Sequence, residues 1–468
     1  MQIGDAERPL RVAIIGSGPS GFYAAEHLQQ SGLAVEIDMY DRLPTPFGLV
    51  RGGVAPDHDK IKSVTRIYDK IADRDSFRFF GNVEFGRDVD HDDLRDLYHA
   101  VIYATGSRKS RRLGIAGEDL VGSHPAPAFV GWYNGHPDFV RWSFDLSCER
   151  AIIVGVGNVA MDVARILAQS PEALATTDIA EHALDALRAS TIRHVLVIGR
   201  RGPAQSAFTP KELKELGALE GVDIVVDPAE LLLDPVSAAE VETSDRARKN
   251  LELLTAYGAR PRSGAERVIE FRFLRSPVEI VGNGSVTGVR LERNELVTSG
   301  DGSLRTKATG ETEIINCGLV LRAVGYLGAA LPGVPFEAGV GVIPNVAGRI
   351  VDRGEQVTGE YVAGWIKRGP TGIIGTNKPD AAETVESLIA DARAGKVWEP
   401  TAATRPEAEA RLWHNRPAHT TYADWQLLDE MEKRRGEAVG APRRKFTRVS
   451  DMLDALAEAK EGASRPAR

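Results

Sequence analysis

Cysteine is nearly absent from this chain. Its 468 residues contain two, Cys148 and Cys317, far apart and in no CxxC arrangement. That excludes a dithiol redox pair and a cysteine-held iron–sulfur cluster. Long apolar runs are also missing: nothing approaches the roughly 20 residues of a membrane-spanning helix, so no span is expected. The stretch MQIGDAERPLRVAIIG enters an apolar segment almost at once, with neither a signal peptide nor an Arg/Ser-rich transit peptide. A cytoplasmic setting is the expectation. Positive charge is not in excess, and the net charge of −8 argues against nonspecific nucleic-acid binding while leaving room for a local basic patch. What remains is the composition of a globular protein, 43% hydrophobic and 26% charged, long enough for two or three domains.

The strongest local signal is VAIIGSGPSG, residues 12–21, followed by FYAAEHLQQ at helical spacing. Four apolar residues run into Gly16, Gly18 and Gly21, the order strand, tight turn, helix start of a dinucleotide-binding fingerprint. The next strand-like stretch, VEIDMYDR, ends in Asp41, where an acid can accept ribose hydroxyls. Residues 151–167, AIIVGVGNVAMDVARIL, repeat the device with Gly155 and Gly157, and Ala160 replaces the third glycine. After the following strand, HVLVIGRRGP, this second unit offers Arg200 and Arg201 in place of an acid. Two guanidinium groups there suit a 2′-phosphate. The first site therefore suits FAD and the second NADP, a pairing that means hydride transfer.

Between and beyond these units the readings are coarser. Leu43–Pro56 is rich in proline and glycine and reads as an irregular loop, with backbone N–H groups at Gly48–Val50 placed to serve a flavin's polar edge; IKSVTRIYDKIA restarts a helix. His58, flanked by Asp57 and Asp59, is either a helix-start histidine or a site residue. FRFFGNVEFG and AVIYATGSR read as strands, the second returning the chain to the nucleotide site at Gly106. The basic run Arg108, Lys109, Arg111 and Arg112 follows. Asp162 lies either near the cleft or on a surface turn. Thr209 before Pro210 reads as an N-cap, with Glu212 complementing the helix dipole. Residues 228–305 read as a strand-rich excursion of antiparallel ribbons, and GLVLRAVGY, residues 318–326, closes the second domain. GEYVAGWIKRGPTGIIGTN re-enters the first domain; Trp365 there covers a flavin ring or fills the core. The last seventy residues hold two helical runs and a polar end, GASRPAR.

Several stretches together identify a family. GSGPSGFYAAEHL, PFGLVRGGVAPDH, GNVEFGRDV, AFVGWYNGHPDF, GNVAMDVARIL, GRRGPAQSAFTPKEL, FLRSPVEI, GVIPNVAGR and AGWIKRGPTGIIGTN resemble the adrenodoxin-reductase type of ferredoxin–NADP reductase, including its bacterial members, over residues 11 to about 395. The resemblance implies an α/β fold of two Rossmann-like domains. A discontinuous FAD domain would span residues 1–108 and 330–468 with a C-terminal extension, and an NADP domain, 109–329, would be inserted in it. It implies hydride transfer from NADPH to FAD, then single electrons to a ferredoxin. FAD contacts would fall at Ser20, Asp41, Leu49, Phe85, Trp365 and Gly372, Ile373 and Ile374. NADP contacts would fall at Val156, Gly157, Asn158, Val159, Arg200, Arg201, Glu212 and Gly372. His58 and Asp162 match polar positions at the nicotinamide–flavin junction, and Arg246, Arg248 and Lys249 the acceptor-facing region, where an acidic ferredoxin would dock. No metal site is expected. Ser20 stands where the family usually has Ala, Asp41 where Glu is usual and Asn377 where Thr often sits. A flavin-dependent NADPH monooxygenase and an electron-input subunit of a larger reductase are the alternative enzymes; an NADPH-sensing scaffold is the non-enzymatic one.

Overall fold

The computed structural model describes residues 2–300, 303–401, 404–415 and 418–464. Its first sheet is built on Leu10–Ile15, a strand buried on both faces, as the uninterrupted apolar run requires of a central parallel strand. From edge to edge the seven strands are Asn345–Val346, Arg349–Asp352, Glu355–Val362, Ala100–Tyr103, Leu10–Ile15, Val35–Tyr40 and Phe77–Phe80. Glu355–Val362 pairs in parallel with Ala100–Tyr103, so the sheet is completed by chain that returns only after a second domain has been built. The helix Asn377–Arg393 packs on Pro19–Gln30, the helix of the first fingerprint.

The second sheet has six strands, all parallel: Ser123–Pro125, Leu319–Arg322, Arg150–Val154, His194–Ile198, Arg267–Arg272 and Val222–Val226. GLVLRAVGY supplies a strand of this sheet. A three-stranded antiparallel sheet, Arg275–Asn283, Ser285–Thr298 and Leu304–Asn316, packs beside it. Lys109–Ser110 and Tyr326–Leu327 pair antiparallel where the chain passes between the two large sheets.

Four local expectations are corrected. Residues 228–305 are ribbons only from Arg275 onward; before it stand the helices Pro235–Thr243 and Asp245–Gly258 and the parallel strand Arg267–Arg272. Asp245–Gly258 buries Ala247, Asn250, Leu254 and Tyr257 at helical spacing, and that period outweighs the β-branched residues nearby. The loop Leu43–Pro56 contains a helical turn, Leu49–Gly52. The following helix is two, Asp59–Lys62 and Thr65–Ala72. FRFFGNVEFG is a strand only to Phe80, because Asn82 takes a left-handed φ of 58° and Gly81 bridges to Thr420. The C-terminal runs form the helices Tyr422–Glu437 and Val449–Ser464; the last four residues of GASRPAR lie outside the described residues.

The two parts of the first domain are tied by His91, whose Nε2 lies 2.7 Å from Oε1 of the buried Glu360. The hydrogen bond to Glu360 raises the imidazole above its ordinary 6.5, with burial opposing. A raised histidine contributes stability that is complete below the unfolded-state value and is lost as pH rises through the folded-state value. His91→Gln is therefore expected to lower stability by about 1 kcal/mol at pH 5.5. In urea unfolding the difference from wild type is expected to shrink as the pH is raised to 8.5; a constant difference would contradict the pair.

Candidate active site at the junction of two nucleotide-binding domains

The two fingerprints form the same cradle twice. Gly16 has φ +110°, and a Cβ there would lie 2.5 Å from the carbonyl oxygen of Ala104. Gly155 has φ +132°, and its Cβ would lie 2.3 Å from the carbonyl oxygen of Ala323. Each turn is pressed against the end of the neighbouring strand, where no side chain fits. The second glycines, Gly18 and Gly157, face open space instead, with nothing within 4 Å of a Cβ. Each precedes a helix N-terminus, Pro19–Gln30 and Asn158–Ala168. Free N–H groups beside open space at a helix start fit a pyrophosphate.

Around the first cradle, Asp41 follows directly on the strand Val35–Tyr40. Its Oδ2 accepts from Ser17 N (3.0 Å) and Ser17 Oγ (2.6 Å), and its Oδ1 from Leu43 N (2.9 Å). A carboxylate has about four acceptor positions, so capacity remains for ribose hydroxyls. The Ser20 hydroxyl lies behind the cradle and donates to Asn377 Oδ1 at 3.0 Å. The turn that begins at Gly48 packs on the cradle, where its Cβ would lie 3.0 Å from Gly18 Cα. Of the backbone donors expected there, Val50 N is already engaged by Phe47 O at 3.0 Å. Leu49 is 40% exposed, whereas Phe85 is buried edge-on to Tyr103. Gly106 has φ +68° and open surroundings. Trp365 is half-buried, its ring 5.6 Å from Tyr326 and its Nε1 donating to Thr371 O. Gly372 and Ile373 are exposed and Ile374 is half-buried.

At the second cradle, Val156 O accepts from Ala207 N and Phe208 N, and Asn158 Oδ1 accepts from Thr209 N at 2.8 Å; Val159 packs against the domain core. Thr209 is the expected N-cap. Arg200 and Arg201 are exposed after Gly199, and neither guanidinium meets a carboxylate among the described residues. Two cations so placed at the end of this strand have the chemistry to take an anion.

His58 and Asp162 do come together, within a cluster that joins the domains. His58 is buried; its Nε2 lies 2.8 Å from Glu215 Oε2 and 3.8 Å from Glu212 Oε2, and its Nδ1 3.8 Å from Asp162 Oδ1. Arg165, also buried, sits among the acids. It donates to Asp57 at 2.7 and 3.0 Å, to Asp162 at 2.7 Å and to Glu212 at 3.2 Å. Asp57 and His58 come from the first domain, the others from the second. Burial pushes the Asp162 carboxyl up despite Arg165 and His58. Glu212 is also pushed up, by burial and then by Asp162. Asp57 is held down: burial opposes this most strongly, but the bidentate bond to Arg165 and the charges of Arg165 and His58 together outweigh it. One guanidinium thus faces four carboxylates, an arrangement able to hold or pass a proton beside the cradles. Glu212 does more than complement a helix dipole. Sequence reasoning missed Asp57, Arg165 and Glu215 as members; Glu215 meets His58 across 157 positions of chain, for which no local pattern exists.

A model described as pyridine nucleotide-disulphide oxidoreductase matches residues 10–201. NADPH-ferredoxin reductase FprA of Mycobacterium tuberculosis is 48% identical over 458 residues, covering 95% of this chain and 99% of that protein. The mitochondrial NADPH:adrenodoxin oxidoreductase of Arabidopsis thaliana is 42% identical over 467 residues, 97% and 96% of the two chains. The chain belongs to the adrenodoxin-reductase-type family of ferredoxin–NADP reductases. The solved structure of M. tuberculosis FprA in complex with NADPH superposes with a TM-score of 0.91 at 48% identity, covering 96% of this chain and all of that one. Reductases of this family are oxidoreductases that use FAD and NADP, and the paired cradles fit both. Among the described residues no helix is long and apolar enough to cross a membrane.

Removing the cation from this cluster would strand its acids. Arg165→Leu is expected to lower unfolding stability by about 3–5 kcal/mol, the cost of leaving buried charge unpaired. Thermal unfolding at pH 7 and pH 5 checks it: protonation of the stranded carboxyls makes the loss smaller at pH 5. A loss below 1 kcal/mol at both values would show the cluster to be solvated.

Proposed function

We propose that this protein passes a hydride from NADPH to FAD and then delivers single electrons to a ferredoxin. The observation that carries the reading is convergence: the helix leaving the second cradle presents Asp162 and Arg165 to His58 and Asp57 of the first domain. FAD would occupy the first cradle, with Gly16, Gly18, Gly21, Asp41, the turn at Leu49, Phe85, Gly106, Trp365 and Gly372–Ile374 around it. NADP would lie on Gly155–Val159, Arg200, Arg201 and Glu212. When bound, the two cofactors supply the hydride chemistry, so the protein's task is to hold their rings together and tune them. His58 and Asp162 act as positioning groups for that contact and for nearby proton equilibria. Domain limits at 108/109 and 329/330 agree with the Lys109–Ser110 and Tyr326–Leu327 crossing. A cytoplasmic setting agrees with the use of NADPH.

The test is anaerobic: stoichiometric NADPH is expected to bleach the flavin absorbance of the purified protein, and an unchanged spectrum would end the reading. Nucleotide choice is tested in the same assay. The 2′-phosphate is remote from the hydride, so preference must come from groups that meet it. Arg200→Ala/Arg201→Ala is expected to lower kcat/KM for NADPH at least about a hundredfold, at 1.5–3 kcal/mol per charge-assisted bond. The value for NADH should barely move. A parallel fall with both nucleotides would make the arginines structural.

The acceptor is proposed to dock where Arg246, Arg248 and Lys249 are exposed on the helix Asp245–Gly258. Arg248 is paired with Asp245, and Lys249 lies 3.9 Å from the same acid. Lys249 also lines a surface groove with Lys211, Lys214 and Glu215, which adds two cations and leads towards His58. In the alternative basic run, Arg112 is paired with Asp119 at 2.6 Å. Charge reversal at Lys211, Lys214 and Lys249 is expected to raise the ferredoxin KM and flatten its salt dependence, with ferricyanide reduction unchanged. Equal loss with both acceptors would indicate misfolding, and no loss with either would place docking elsewhere.

A further inference from the structure

The turn that begins at Phe47 is strained. Phe47 has φ +83° and Gly48 φ +48°, the former a conformation that L side chains rarely adopt and keep only when the surroundings impose it. Phe47 N is bonded to Ser17 O of the first cradle at 3.0 Å, so the strain sits where the flavin site is built. Phe22 and Tyr68 pack on the Phe47 ring from within the first domain, with ring centres 5.4 and 5.8 Å away, and the remaining side is closed by the far end of the chain. Trp425 packs edge-on against Phe47, with ring centres 5.5 Å apart, and Arg51 lies over the Trp425 ring at 5.0 Å. Glu432, with no exposed side-chain surface, takes Arg51 in a bidentate pair at 2.8 and 2.5 Å.

The strap between the two C-terminal helices reaches further. Glu432 also holds the strap, accepting from Phe446 N at 2.9 Å. Arg444 donates to Thr177 O and Ala175 O at 3.0 and 3.1 Å, at the end of the helix Pro171–Ala175. Lys445 is buried and meets three segments at once: Arg51 O at 3.2 Å, Asn134 O at 3.2 Å and Asp178 Oδ2 at 3.1 Å. Asp178 is itself bonded to Lys62 of the first domain at 2.5 Å. Lys445 and Phe446 also line the cleft beside Asp41, Thr45 and Gly48. A buried ion pair adds little net stability, but breaking one strands a buried charge, so these segments are held to the arrangement that keeps Lys445 and Glu432 paired.

We propose that the C-terminal helical hairpin is a clamp: through Glu432 it holds the strained turn Phe47–Gly52, and through Lys445 it fixes the second domain against that turn. Glu432 and Lys445 are then positioning residues for the contact between the two nucleotide sites. This rests on the hydride-transfer reading given above. The strap forms one wall of the cleft beside Asp41, so the clamp also bears on cofactor retention.

The experiment uses the full-length, flavin-loaded protein with Glu432→Gln and, separately, Lys445→Met. Backbone hydrogen exchange reads the turn directly, because Gly52 N, Gly53 N and Val54 N are bonded inside it at 2.8–2.9 Å. Exchange at residues 52–54 is expected to rise at least tenfold in both variants, with strand Ala151–Val154 unchanged. Flavin reduction at saturating NADPH should slow about tenfold while the half-saturating NADPH concentration moves less than twofold. Unchanged exchange at residues 52–54 in either folded variant would overturn the clamp. So would an equal rise in Ala151–Val154, which would mean general loosening, or a loss confined to NADPH affinity. If Glu432→Gln does not fold, Lys445→Met alone decides. Failure of the wild type to be reduced by NADPH would remove the hydride reading and leave the exchange result to judge the clamp.

Discussion

Arg165 is the constraint on which the junction between the domains depends. It lies two turns into the helix that leaves the second cradle, buried, with Asp57 of the other domain on one side and Asp162 and Glu212 of its own on the other. Buried carboxylates at such spacing repel one another strongly in a medium less polar than water. One guanidinium cannot neutralise four, and Asp162 and Glu212 are shifted up, by burial first and by repulsion from neighbouring acids second. Asp57, which accepts from Nε and Nη2 of the guanidinium together, is the acid that is shifted down. The fork therefore decides which carboxylate is the firm anchor between domains and which retain proton affinity beside His58.

Most of the frame was legible because the fold uses one backbone solution twice. A glycine with positive φ pressed on a neighbouring strand end has to be glycine, and an open glycine two residues later has to precede a helix. That leaves the same spaced letters at Gly16 and Gly155. The return of the chain to the first sheet was legible for a related reason, since the buried end of strand Glu355–Val362, GEYV, runs into Gly364, another glycine with positive φ. The helix Asp245–Gly258 was misread, although its buried residues keep a helical period, because the ribbon residues after Arg275 dominated the composition of the window.

The site was legible only in part. His58, Asp162 and Glu212 stand beside capping or fingerprint signals that single them out. Glu215 has none: it is one turn beyond Glu212 on a short helix, and its partner His58 belongs to another domain. Glu432 and Lys445 were invisible for the same reason. A buried acid inside the polar run EMEKRRGE, residues 430–437, looks like a solvated helix face until Arg51 arrives from far upstream. Local spacing reports local geometry, and these contacts are made by tertiary packing.

Glu215 also joins two surfaces that would otherwise be separate. One oxygen meets His58 in the interior cluster, and the other lies 3.6 Å from Lys211 at the rim of the lysine-lined groove. The interior of the junction is acidic while the groove outside it is basic. On the docking proposed above, an acidic partner would be drawn to the rim by Lys211, Lys214 and Lys249, and the carboxylates behind them would resist its further approach. Attraction at the surface and repulsion beneath it would then let a partner dock without displacing the groups that hold the two cradles together.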